Sequence, residues 1–257
     1  MSRPPIRATP WVVSRRAATV VAALTACCAC AATAMAQTET AASMRPSLLP
    51  DRLGASTALT LAFRFSGGAE GVPEPLRGMV VRLPAGLTIN LRGAGICPPS
   101  RLRSRGAGGC ESKSLVGRGH ALMKVHAGSL AVGEEATVWI YRGPNRGPHQ
   151  TLEIFSQGET PLDESTIATG VLAPDGGQYG SKLTVSVPAI PTLVLEPDAS
   201  FASLSLTVGG IGRPRAHAAA GSILVPHSCP AGGFPFAADF TFTGGATASA
   251  STTVACP

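Results

Sequence analysis

Phe234-Pro-Phe-Ala-Ala-Asp-Phe-Thr-Phe242, followed by Thr243-Gly-Gly245 and Ala246-Thr-Ala-Ser-Ala-Ser-Thr-Thr-Val254 (FPFAADFTF, TGG, ATASASTTV), sets the class of fold. Phe234, Phe236, Ala238, Phe240 and Phe242 recur every second residue, so they share one face of an extended strand. Gly244-Gly245 turns the chain, and the small and polar run up to Val254 returns along it. Two alternating runs joined by Gly-Gly predict an antiparallel hairpin. Pro235 has no amide proton to give a neighbour, which places its end of the strand at an edge.

The same period of two recurs upstream. Thr57–Phe65 (TALTLAFRF) puts Leu59, Leu61, Phe63 and Phe65 on one face. Strands are also predicted at Met79–Leu83, Ala121–His126, Thr151–Phe155, Ser165–Leu172, Lys182–Val187 and Ala202–Val208. Ala136–Tyr141 (ATVWIY) is apolar on both faces and reads as a central strand. Glycine and proline together make 52 of the 257 residues, which favours short strands and tight turns. The expected fold is all-β: an antiparallel β-sandwich of roughly a dozen strands, since so many strands curl or split into two layers. No repeat of fixed period is present. The expected organisation is a signal peptide over 1–36, a linker over 37–55 and a β-sandwich domain over 56–257. Two smaller β domains splitting near 130–190 are the alternative.

The start of the chain has the anatomy of a secretory leader. Arg3, Arg7, Arg15 and Arg16 precede an uncharged run over 17–31, and Ala34-Met35-Ala36 before Gln37 is a small-x-small cleavage site. Leu24-Thr25-Ala26-Cys27 also fits a lipobox, so cleavage after Ala36 and lipidation of Cys27 stand as alternatives. No later run is long and apolar enough for a bilayer span, so no transmembrane segment is expected in the mature chain. Four of the 21 basic residues and none of the 15 acidic ones lie before Gln37, which leaves +2 for the remainder. That balance gives no reason to expect a nucleic-acid partner.

Cys97, Cys110, Cys229 and Cys256 remain after the leader, an even number in an exported chain. Cys97 and Cys110 enclose a short Pro- and Gly-rich loop. Cys256 at the end of the closing hairpin comes opposite the approach that carries Cys229. Cys97–Cys110 and Cys229–Cys256 are therefore the expected disulfides among three connectivities. The chain-entropy model gives about 3 kcal/mol for the 14-residue loop and about 3.6 for the 28-residue loop. Close pairs such as C-x₂-C, which structural zinc sites use, are absent from this part of the chain.

Residues with chemistry to offer are scattered. There is no G-x-S-x-G string and no pair of histidines at helical spacing. Histidines 120 and 126 share a strand face but lie about 20 Å apart along it. Glu134-Glu135 and Asp163-Glu164 read as solvated acids in turns, not as two carboxyls facing one bond. No catalytic, cofactor or metal residues are assigned. Trp139 and Tyr141 share a strand face beside the loop 142–149. Exposed, they would hold a sugar ring; otherwise they pack under that loop. Arg101, Arg103 and Arg105 in the first cysteine loop, with Lys113 and Arg118 nearby, make either a contact for anionic wall polymer or lipid headgroups, or a solvated basic face.

Leu83-Pro84-Ala85-Gly86-Leu87, Cys97-Pro98, Cys110 and Ser114-Leu115-Val116-Gly117 resemble modules in secreted, Ig-like β-sandwich proteins of high-GC soil bacteria. Those modules read LPxGL, then CP, then a second Cys followed by S-x-V/I-G. Ser228-Cys229-Pro230, Gly233-Phe234-Pro235-Phe236 and Ala255-Cys256-Pro257 are similar to the closing hairpin of the same group. The resemblance implies a secreted or cell-surface β-sandwich with local disulfides and brings no catalytic residues with it. The expected function is an exported, non-enzymatic surface or extracellular module, structural or adhesive, without cofactor. Its partner would be a cell-wall polymer or another surface protein. The alternatives are a carbohydrate-binding module using Trp139 and Tyr141, and a hydrolase without a recognisable motif.

Overall fold

Alternation of large apolar and small polar residues builds thirteen strands in this computed structural model, which describes residues 39–127, 130–160, 163–192, 195–210 and 222–257. In chain order they are β1 (Ala41–Leu49), β2 (Ser56–Ser66), β3 (Leu76–Pro84), β4 (Thr88–Asn90), β5 (Leu115–Ala127), β6 (Leu130–Arg142), β7 (Gln150–Thr160), β8 (Ser165–Pro174), β9 (Tyr179–Ser186), β10 (Ser200–Val208), β11 (Ser222–Leu224), β12 (Phe234–Phe242) and β13 (Thr247–Val254). One α-helix, α1 (Pro99–Arg105), lies between β4 and β5. Residues from Gln37 onward cluster as one compact unit. No helix among the described residues is long and apolar enough to cross a membrane. The leader, its cleavage point after Ala36 and Cys27 lie outside the described residues.

All pairings are antiparallel, in the order β13-β12-β3-β9-β8-β7-β6-β5-β10-β2-β11-β4, with β1 also paired to β2. Phe63 and Phe65 of β2 meet Phe240 of β12 edge to face, with centroids 5.6 and 5.0 Å apart. Eight interstrand steps separate these strands along the sheet, about 38 Å if it were flat. The sheet must therefore curl back on itself, and its two halves pack face to face as a sandwich. The core between them holds all five residues of the Phe234–Phe242 face, each at most 2% exposed, with Leu59, Leu61, Val81, Val138, Ile140 and Leu204. Inside the core an apolar cavity of about 30 Å³ is walled by side chains such as Leu76, Met79, Ile154 and Phe201. That interior space is roughly a tenth of what a small-molecule site needs.

The closing hairpin forms as expected, with Phe234 opposite Val254 and Thr241 opposite Thr247. Gly244 and Gly245 turn it at φ +80° and +89°, where a Cβ would be strained. β3 pairs with β12 only from Ala237 onward, so Pro235 is spared a donor on that side.

The expectation of a linker over 37–55 is corrected. Ala41–Leu49 is a strand, paired residue for residue with β2 from Ala41–Ser66 to Leu49–Ala58. Met44 and Leu48 face the core, and Pro46 is tolerated because β1 is an edge. The acids Glu134-Glu135 are also not in a turn: both lie in β6, with Glu134 only 1% exposed.

Candidate functional site

Both disulfides form as expected, Cys97–Cys110 with Cα atoms 5.5 Å apart and Cys229–Cys256 with 6.0 Å. The second ties the end of β13 to the approach of β12. The first closes a cap on the outer face of β6–β8. The short Pro- and Gly-rich loop between the two cysteines holds one helix, α1. Pro98 is the N-cap and Pro99 the first helical residue of α1, with Gly106 ending it at φ +60°. Proline suits this position because the first amide of a helix has no partner to lose.

The cap sits on a second small apolar cluster. Leu102 and Cys97 pack against Tyr141 and Phe155, with Trp139, Leu115 and Ile167 partly buried around them. These residues are on the outer face because β6 sends Val138 and Ile140 inward and Trp139 and Tyr141 outward. Trp139 leans on Phe155, centroids 5.8 Å apart. The Tyr141 hydroxyl donates to the Ala107 carbonyl at 2.8 Å. The Cys97 amide donates to the Arg142 carbonyl, and an Arg142 guanidinium nitrogen donates to the Ala94 carbonyl, both at 2.8 Å. Gly109 lets the cap close tightly: a Cβ there would stand 2.5 Å from the Arg101 carbonyl oxygen.

Tyr141 is thus not a surface aromatic. It is 3% exposed, and burial raises its phenol above the ordinary value of 10. Trp139 is half-buried. Both pack beneath the Cys97–Cys110 cap, not beneath the loop 142–149. Arg101, Arg103 and Arg105 are exposed on α1, and Lys113 pairs with Glu111 at 2.8 Å.

The structure adds a residue that the alternation of β7 did not single out. Glu153 follows Tyr141 and precedes Thr169 along one outward row of β6, β7 and β8. It is 2% exposed, because the turn after β6 folds over it. The Gly143 amide donates to the Thr151 carbonyl and the Thr151 hydroxyl to the Pro144 carbonyl. A Cβ on Gly143 would lie 2.6 Å from Glu153 Oε1. Burial raises the Glu153 carboxyl above its ordinary value; the Thr169 hydroxyl, donating at 2.8 Å, and then Arg146 and Arg103 oppose that rise. The signal in the sequence is one acid inside an otherwise apolar run, TLEIF.

His120 is exposed on the outer face of β5 and His126 is half-buried. Among the described residues no group of three or more His, Cys, Asp or Glu side chains is placed to hold a metal ion. What the geometry offers is a disulfide-closed cap on the outer face with exposed arginines around it. No protein-family model, curated protein or solved structure matches the chain.

Proposed function

We propose that the chain is an exported, non-enzymatic β-sandwich module with a structural or adhesive role at the cell surface or outside the cell. The observation that supports this most is the pair of local disulfides, which persist in oxidising compartments. One clamps the last hairpin, and the other fixes a cap whose apolar residues pack into the sheet. Side chains locked in this way suit a surface that is held in shape to be touched. The partner is a cell-wall polymer or another surface protein. The mature chain begins at Gln37 if released, or at a lipidated Cys27 if held at the membrane.

A second reading, carbohydrate binding, draws on Trp139, whose half-buried ring stands beside the exposed Arg118. Intact mass of the protein taken separately from membrane and medium, without reduction, tests the first reading. Mass consistent with two disulfides and a start at Gln37 or acylated Cys27 supports it. A reduced, unprocessed chain in the cytosol, or turnover in a screen of ester, glycoside and peptide substrates, would overturn it.

A further inference from the structure

The strand register lines up side chains on the outer face in rows. One row runs Thr60, Thr207, Arg118, Trp139 across β2, β10, β5 and β6. The two threonine hydroxyls are hydrogen-bonded at 2.8 Å. Four adjacent strands make the row about 14 Å long. Directly opposed residues bring their Cβ atoms to about 5 Å, so Arg118 and Trp139 are neighbours on this face. The next row, Ala62, Ser205, His120, Thr137, is built mostly of small side chains and leaves the first one accessible.

At the Trp139 end the row meets the cap. Arg101, Arg103 and Arg105 are exposed there, and Arg146 is exposed on the turn after β6. Arg103 and Arg146 both lie close enough to Glu153 to favour its charged form. Among the described residues none of Arg101, Arg103, Arg105, Arg118 and Arg146 is in an ion pair. Five unpaired arginines from three segments thus gather on one face, in a mature chain whose net charge is only +2. Four acids accompany them: Glu111 lies near Arg101, Glu153 is buried between Arg103 and Arg146, and Glu135 and Glu159 stand beyond the row. Glu135 is four residues along β6 from Trp139, about 13 Å, and Glu159 accepts from the Thr137 hydroxyl.

We propose that this face binds an acidic polysaccharide, with Trp139 stacking on a sugar ring and Arg118, Arg103 and Arg146 receiving its carboxylates. The proposal rests on the adhesive reading above and gives it a partner. Guanidinium forks match carboxylates in two-point contacts. A half-buried indole offers one flat face at little entropic cost. The row carries no exposed aliphatic side chain to enter a bilayer, and its hydroxyls match the hydrogen-bonding edge of a sugar. That combination favours a glycan over a lipid surface or a nucleic acid.

The mature protein has a built-in probe. The chain has two tryptophans, and Trp11 precedes both cleavage points, so Trp139 alone remains. Oligogalacturonate and polygalacturonate are titrated against the protein purified from its host, with dextran as a neutral polymer and phosphatidylglycerol vesicles and duplex DNA as other polyanions. The expected result is a shift of indole emission with galacturonate, absent with dextran and weakening as salt rises. Arg118→Glu, and separately the triple change Arg103→Gln, Arg118→Gln, Arg146→Gln, weaken binding by about tenfold or more. These side chains are exposed, and unchanged circular dichroism confirms that both variants fold. No emission shift, affinity unchanged in both variants, or binding of vesicles or DNA as tight as that of polygalacturonate would overturn the proposal. Release of new reducing ends from the polymer would instead overturn the non-enzymatic reading and leave the binding face standing.

Discussion

The Tyr141 hydroxyl on β6 and the Ala107 carbonyl in the cap are joined by a 2.8 Å hydrogen bond between residues 34 positions apart. With the Cys97 amide donating to the Arg142 carbonyl, it is one of two polar ties in a contact otherwise made by Leu102 and Cys97 above and Phe155 below. Tyr141→Phe keeps the ring and removes the tie. The expected loss is about 1 kcal/mol, the net worth of one buried neutral hydrogen bond. Urea unfolding measures it, and amide exchange in residues 97–110 should quicken more than in the main core. Equal protection in variant and parent would mean that the packing, the disulfide and the Cys97–Arg142 hydrogen bond hold the cap without it.

The two disulfides should separate by experiment. Changing Cys97 and Cys110 together to Ala costs about 3 kcal/mol and changing Cys229 and Cys256 about 3.6, by loop length alone. The first pair also anchors the cap over Phe155 and Tyr141, so its loss should open residues 97–110 to protease while the sandwich stays folded. The second spans only surface approach and strand end, so its loss should lower stability without a local cut. Limited proteolysis with mass mapping distinguishes them. A cleavage pattern common to both variants would show that cap and sandwich unfold as one.

How far the fold was legible follows from which contacts are local. The strands β2 and β12 were plain in Leu59–Phe65 and Phe234–Phe242 because the period of two survives without knowledge of the partner. β1 was missed because AASMRPSLL carries a proline and places its only large core residues, Met44 and Leu48, four apart. Its pairing with β2 is what makes it a strand. Burial of Tyr141 and Glu153 was hidden for a related reason. Each faces outward from the sheet, and only the cap or the turn at Gly143, contributed by other segments, covers it. The helix α1 did leave a signal, Pro99 at its start and Gly106 at its end, but one buried residue, Leu102, is too few for a periodic pattern.

Phe240 is the residue on which the two layers converge, touching both Phe63 and Phe65. Phe240→Ala should cost about 3–5 kcal/mol through lost transfer energy and the cavity left behind. Thr241→Ala, one residue on and exposed, should change stability by less than about 0.5 kcal/mol. Denaturant midpoints at unchanged slope test both. Equal effects at the two positions would contradict the inward and outward faces assigned to β12.

Asp239 titrates below its ordinary value, first because Arg82 hydrogen-bonds its carboxylate and second because the Ser249 hydroxyl donates to it at 2.7 Å. The folded state therefore holds its proton less tightly than the unfolded chain. Its contribution to stability is present above the ordinary value of 3.8 and lost as pH falls through the lowered one. Asp239→Asn should destabilise at neutral pH and approach the parent in acid. The effect is small, because the Asp239 side chain is 46% exposed and solvent screens the pair.

Glu153 has the opposite sign. Burial raises its carboxyl, so the folded state holds the proton more tightly than the unfolded chain does. The stability that goes with the neutral acid is fully present below the ordinary value of 4.5, and it is lost as pH rises through the raised value. The groups facing it from every side are the Thr169 hydroxyl on β8, Tyr141 on β6, Arg103 on α1 and Arg146 on the turn. Only the two arginines carry charge. Glu153→Gln keeps an oxygen to accept from Thr169 and removes the ionisation. Its melting temperature should match the parent in acid and pull ahead as pH rises above 4.5. Adding Arg103→Gln to the parent should steepen the parent's loss, because one of the charges opposing the rise is gone. Parallel melting curves for parent and Glu153→Gln across that range would mean that the carboxylate is already solvated in the folded protein. The turn at Gly143 would then not be the cover that its hydrogen bonds to Thr151 make it.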